Sequence, residues 1–141
     1  MMNLETTRSV VIEREMPHAP EKVWRALTHG YLIEEWLMKN DFQPRAGHRF
    51  NFRSTPYGSW DGVIEAEVLE VEPNSRLCYT WSSMGLRTVV EWTLTPTTSG
   101  THLRMEQSGF PATGGEGYYK GATAGWSKFI GNLERVLGGL Q

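Results

Sequence analysis

The sequence predicts an α+β fold in which a curved antiparallel sheet grips one long helix, with room for a ligand between them. Three observations carry this expectation. A strand runs into a proline-led helix at residues 18–27, alternating strands follow, and a long amphipathic helix over about residues 117–140 closes the chain. No helix separates the later strands, which argues against a parallel α/β sheet.

Residues 8–16 hold Val10, Val11 and Ile12, a β-branched run that suits a strand, and Pro17 and Pro20 end it. Pro20 fits the first turn of a helix, where its missing N–H leaves no bond unmade. Val23, Trp24 and Leu27 then form an apolar stripe, Glu21 sits at the positive end of the helix dipole, and Gly30 stops the helix. A second short helix is predicted over 32–38, with Leu32, Trp36 and Leu37 inward. Residues 40–47 read as a loop broken by Pro44 and Gly47.

The strands follow from period-two alternation. Over 48–54, His48, Phe50 and Phe52 share one face, opposite Arg49, Asn51 and Arg53. Over 60–71, Val63, Glu65, Glu67 and Leu69 oppose Ile64, Ala66, Val68 and Glu70, and neither face is cleanly apolar, so the orientation stays open. Residues 76–82 place Leu77, Tyr79 and Trp81 together. Residues 86–96 place Leu86, Thr88, Val90, Trp92 and Leu94 inward, opposite Arg87, Val89, Glu91 and Thr93. Residues 101–107 place Leu103 and Met105 inward, with His102, Arg104 and Glu106 outward. That makes about six strands, and with no repeat or linker the chain reads as a single domain over residues 1–141.

The closing helix has the strongest periodicity. Tyr119, Ala122, Trp126, Phe129, Leu133, Val136 and Leu140 step by three and four, and Ile130 and Leu137 widen the stripe. So long an apolar face needs a broad partner, and the inner face of the sheet is the obvious one. Gly121, Gly125 and Gly131 each cost up to about 1 kcal/mol against alanine in a helix interior. They read first as close packing or weak local helicity, and secondly as room for a bend or a ligand. Gly114 to Gly117 lacks the Lys-Ser/Thr of a phosphate loop and reads as a gate or hinge.

Composition narrows the function. Fourteen basic and sixteen acidic residues among 141 give a net charge of -2 with no block of one sign, which speaks against nucleic acid or an anionic membrane as partner. No stretch is long and apolar enough to span a bilayer, and residues 1–14 lack the apolar core of a signal peptide. With a lone cysteine, Cys78, the expected setting is reduced and cytoplasmic. His18, His29, His48 and His102 are scattered without metal-ligand spacing, so no metal or cofactor is expected. Cys78 has no base beside it in sequence and reads as an inert strand residue.

Six tryptophans are many for this length. Trp24 and Trp126 fall at helical spacing and read as core, whereas the strand tryptophans suit a core or a cavity wall equally. The inner faces collect Phe50, Phe52, Tyr79, Trp81, Val90, Trp92 and Met105, and the helices add Trp36, Trp126, Phe129 and Ile130. So many rings resist tight filling of a curved sheet, which favours a pocket over a filled core. Tyr79 and Gln107 are the expected orienting polar groups. The mouth is expected near residues 40–47, 56–60 and 110–119. Glu65 and Glu67 would be acid–base candidates if their face lined the pocket, though a solvated face is the simpler reading.

In order and spacing, these pieces resemble the family of activator of 90-kDa heat-shock protein ATPase homologues. The matching pieces are Ala19-Pro20-Glu21-Lys22-Val23-Trp24-Arg25-Ala26-Leu27-Thr28 with Trp36, then Gly47-His48-Arg49-Phe50, Gly62-Val63 and Leu77-Cys78-Tyr79-Thr80-Trp81. Residues 88–96, Gly100-Thr101-His102-Leu103, Gln107-Ser108-Gly109-Phe110 and Gly125-Trp126 complete the match. The resemblance implies the helix-grip fold of the START-like, Bet v-type (polyketide cyclase-like) superfamily. Where that family usually carries a histidine two residues before Gly-Phe, this chain has Gln107, which hydrogen-bonds but does not titrate.

Three functions are therefore weighed. The first is binding of a hydrophobic or aromatic small molecule, such as a lipid or polyketide-like compound. The second is a cyclase- or hydrolase-type enzyme using Glu65, Glu67, Tyr79 or Gln107. The third is an interaction module for a chaperone, which only the resemblance implies. A monomer and an edge-paired homodimer both fit the sequence.

Overall fold

The computed structural model describes residues 7–141. Its elements are β1 (Thr7–Met16), α1 (Pro20–Thr28), α2 (Gly30–Trp36), β2 (Lys39–Asn40), β3 (Arg49–Arg53), β4 (Val63–Glu72), β5 (Arg76–Ser83), β6 (Leu86–Thr97), β7 (Gly100–Pro111) and α3 (Glu116–Gly139). The strands form one antiparallel, seven-stranded sheet of order β1-β7-β6-β5-β4-β3-β2. The first strand thus lies beside the last, and α3 packs against β1, α1 and α2. This is the α+β helix-grip architecture that the sequence predicts.

Pro20 opens α1 in the first turn, where a backbone N–H would have no intrahelical partner, so the N–H that proline lacks is not missed. His29 ends α1 and caps the start of α2. Trp36 on α2 is buried and donates from Nε1 to the carbonyl of Ala26 at 2.8 Å, which fixes the two helices together. The seventh strand, β2, has only two residues, too few for any alternation to announce it. The Asn40 side chain holds it in place, donating to Gly30 at 3.1 Å and to Met38 at 3.0 Å.

The structure settles the orientation of β4. Ile64, Ala66 and Val68 are buried, while Glu65 stands exposed and Glu67 reaches Arg49 at 3.7 Å. Leu69 is the extra residue of a bulge between Val68 and Glu70 and lies on the outer face with Glu65 and Glu67. The core joins Met16, Val23, Phe52, Leu77, Trp92 and Leu103 to Leu133 and Leu137 of α3. The buried line of α3 runs Trp126, Ile130, Leu133, Leu137, and Phe129 and Val136 are only partly buried. The seam is therefore rotated from the predicted stripe, with Ile130 and Leu137 at its centre rather than its margin.

On the outer face, β1 and β7 are joined by His102, which bonds Glu13 through Nε2 at 2.6 Å and Glu15 through Nδ1. These two carboxylates hold the imidazole pKa above its ordinary 6.5, Glu15 contributing most. A raised folded-state pKa means that the contribution is complete below 6.5 and is lost as pH rises through the folded value. The urea midpoint is expected to fall between about pH 6 and about pH 9 by more in the native chain than in His102→Gln. Equal falls in the two proteins would show that the cluster does not titrate with folding.

Candidate functional site: a cavity between sheet and helix

A cavity of about 610 Å³ lies between the inner face of the sheet and the first half of α3. Trp81, Leu86, Thr88, Gln107 and Phe110 form its sheet side. Ala122, Trp126, Phe129 and the glycines Gly117, Gly121 and Gly125 form its helix side. Tyr57, Met84 and Tyr118 stand at the rim, 84%, 57% and 39% exposed, with Trp60 beside them. Large apolar side chains normally avoid such exposure, so their gathering at one opening is informative.

Two local features shape the cavity. Gly117, Gly121 and Gly125 recur every fourth residue and so lie along one side of α3. A Cβ on Gly117 or Gly121 would meet nothing within 4 Å, and one on Gly125 would meet only Phe129 Cε2 at 3.9 Å. Close packing therefore does not account for Gly121 and Gly125, and the open volume is what their missing side chains leave.

The second feature is a bulge in β7. Arg8 pairs with Phe110 but Ser9 pairs with Ser108, so Gly109 is the extra residue, at φ +106°. Strict alternation from the buried Gln107 would send Phe110 outward. The bulge restores it to the inner face, where it is 2% exposed and lines the cavity. A side chain at position 109 would strain that φ and press the Arg87 carbonyl at 3.3 Å.

The polar groups of the cavity form one ordered chain. Trp126 Nε1 donates to Gln107 Oε1 at 2.6 Å, Gln107 Nε2 donates to Thr88 Oγ1 at 2.8 Å, and Thr88 Oγ1 donates to the Trp81 carbonyl at 2.8 Å. An indole N–H can only donate, so the amide oxygen must face Trp126 and the amide nitrogen must face Thr88. At the rim, the Tyr118 hydroxyl donates to the Ser83 carbonyl at 2.8 Å and Trp60 Nε1 to Val63 at 3.2 Å. Among the described residues no carboxylate, histidine, lysine, arginine or cysteine lines the cavity.

Of the sequence-selected residues, Trp81, Gln107, Trp126 and Phe129 come together on the cavity wall. Trp36, Phe50, Phe52, Tyr79, Val90, Trp92, Met105 and Ile130 belong to the core cluster and fall outside the lining set. The Tyr79 hydroxyl accepts from Trp92 Nε1 at 3.0 Å, and burial pushes its pKa up. Burial does the same to the thiol of Cys78. Glu65 and Glu67 are on the outer face, beside a polar hollow of about 380 Å³. An acid–base chemistry inside the cavity has no carboxylate from them. Of the segments expected at the mouth, Tyr57, Trp60 and Tyr118 stand at the rim and no residue of the 40–47 loop does; the β5–β6 turn at Met84 takes its place. Phe42 of that loop is instead buried against Phe50, 5.2 Å between rings. Thr88, an inward polar residue by its spacing, also lines the cavity, and Gly121 and Gly125 fit the second of the two readings given them above, room for a ligand.

Among the described residues no cluster of three metal-ligating side chains occurs, and no helix is long and apolar enough to cross a membrane. Solved structures resemble the chain throughout. Protein MLL2253 from Mesorhizobium loti is 53% identical, with 95% of this chain and 99% of that one aligned and a TM-score of 0.85. DynU16, a protein of the dynemicin biosynthetic locus, is 28% identical over 93% of this chain and 47% of its own, at a TM-score of 0.78. CalU16 from Micromonospora echinospora shares the fold at 23% identity, covering 93% of this chain and 76% of its own, with a TM-score of 0.77. No curated protein matches the chain. The family described as "Activator of Hsp90 ATPase homolog 1-like protein" matches residues 17–138, and on that span and this helix-grip architecture the chain belongs to that family, as a START-like domain.

Proposed function

We propose that the protein binds a hydrophobic or aromatic small molecule in the cavity between its sheet and α3. The observation that supports this most is the cavity itself. Its volume of about 610 Å³ falls in the usual range for ligand sites, about 300–1,000 Å³. Its walls are mainly rings and glycine backbone, with a single buried polar chain at Gln107 and Thr88. That balance of apolar surface with a few placed polar groups is what ligand sites share. The likeness to DynU16, from a biosynthetic locus, supports a small-molecule ligand over a macromolecular one. The lone buried thiol suits a reducing, cytoplasmic setting.

Trp60, Trp81 and Trp126 line the cavity, so the protein carries its own reporters. Titration with the neutral dye N-phenylnaphthylamine is expected to give saturable energy transfer from tryptophan at one dye per chain. Native mass spectrometry of the purified protein, followed by denaturing extraction, then identifies any resident ligand. Non-saturable dye uptake together with a bare chain mass would overturn the reading.

A further inference from the structure

We propose that the cavity selects a neutral ligand bearing one hydrogen-bond acceptor, such as a ketone or quinone carbonyl, and that Gln107 is the residue that selects it. This rests on the binding function proposed above. Gln107 is 3% exposed, and its amide orientation is locked from both sides. Its oxygen takes the Trp126 N–H and one N–H goes to Thr88. Thr88 in turn has given its proton to the Trp81 carbonyl, so it cannot reverse and act as donor without breaking the chain. Among the described residues no protein acceptor meets the second N–H of Gln107, and Gln107 lines the cavity.

A buried N–H without a partner is rarer and more costly than an under-used oxygen lone pair. The most favourable group a ligand can place against it is therefore an acceptor. A charged acceptor is disfavoured, because no cationic side chain among the described residues lines the cavity and a carboxylate carried to Gln107 would be desolvated without a counter-charge. Of the rim donors, the Tyr118 hydroxyl and the Trp60 N–H are already bonded to backbone carbonyls, and the Tyr57 and Ser83 hydroxyls are less buried than the Gln107 amide.

Three probes with one aromatic body test this: acetylnaphthalene, ethylnaphthalene and naphthoate, each displacing N-phenylnaphthylamine. In the native protein acetylnaphthalene is expected to bind about tenfold more tightly than ethylnaphthalene, and naphthoate more weakly than either. Gln107→Glu keeps an oxygen for Trp126 but removes the amide donor. It is expected to bind ethylnaphthalene while losing the preference for the acetyl compound. Equal affinity for the acetyl and ethyl probes in the native protein, or tightest binding of naphthoate, would overturn the assignment while leaving the cavity a binding site. If neither probes nor dye bind, the binding function itself falls. The native ratio decides the matter alone if the variant does not fold.

Discussion

Gly125→Leu is expected to close the cavity and leave the protein at least as stable as before. Position 125 faces the open volume, and a new Cβ there meets only Phe129 at an ordinary 3.9 Å. Leucine replaces the least favourable non-proline residue in a helix interior, a gain of up to about 1 kcal/mol. Its branched end would also cover apolar wall now open to the cavity. Together these predict a melting temperature raised by about 3 °C. The same side chain stands where a ligand ring would lie, so dye affinity is expected to drop by about a hundredfold. Gly125→Ala is the matched control, with most of the helix benefit and little loss of volume. A leucine variant that is stabilised yet still binds dye at native affinity would place the site elsewhere. A destabilised one would mean that the helix approaches the sheet more closely than this structure shows.

Trp92→Ala is expected to cost about 3–5 kcal/mol, a large share of the roughly 5–15 kcal/mol that holds a typical domain together. Trp92 is fully buried, meets Trp36 edge-on at 5.6 Å and Trp126 at 5.7 Å, and gives its N–H to Tyr79. Truncation leaves a large void and strips the buried phenol of its donor. It also releases one side of Trp126, whose own N–H orders Gln107. Urea unfolding should show the midpoint falling sharply with little change in slope, and near-ultraviolet circular dichroism should lose aromatic signal. Trp92→Phe should recover part of the loss, since a ring still fills the site. A cost below about 1 kcal/mol for alanine would contradict the packing described.

How far the site was legible can be followed residue by residue. Strands β5 and β6 alternate cleanly, so Tyr79, Trp81, Thr88 and Trp92 were assigned to the inner face from spacing alone. In β4 one alternating set carries Glu65 and Glu67 and the other carries Glu70, so its own pattern does not decide which face is buried. Its neighbours do: pairing with β3 and β5 sets Ile64 beside Phe52, Ala66 beside Phe50 and Val68 beside Tyr79 on the inner face and sends Glu65 out. The position of Phe110 was hidden for a similar reason. Gln107 and Phe110 are three apart, and only a bulge at Gly109 lets both point inward.

Order and periodicity alone carried the α+β class, the antiparallel sheet, the proline-led helix and the long closing helix. Each of these is encoded locally, in the spacing of apolar residues and the placing of prolines and glycines. The division of the aromatic residues into core and cavity wall was not encoded in this way. Trp81 and Trp92 have the same residue type and face of neighbouring strands, yet one lines the opening and the other is sealed between Trp36 and Trp126. What separates them is where α3 crosses the sheet. Its second half presses Ile130, Leu133 and Leu137 into the core, while its first half presents Gly117, Gly121 and Gly125 and leaves the sheet uncovered. That contrast depends on contacts between residues far apart in the chain, and no local pattern contains it.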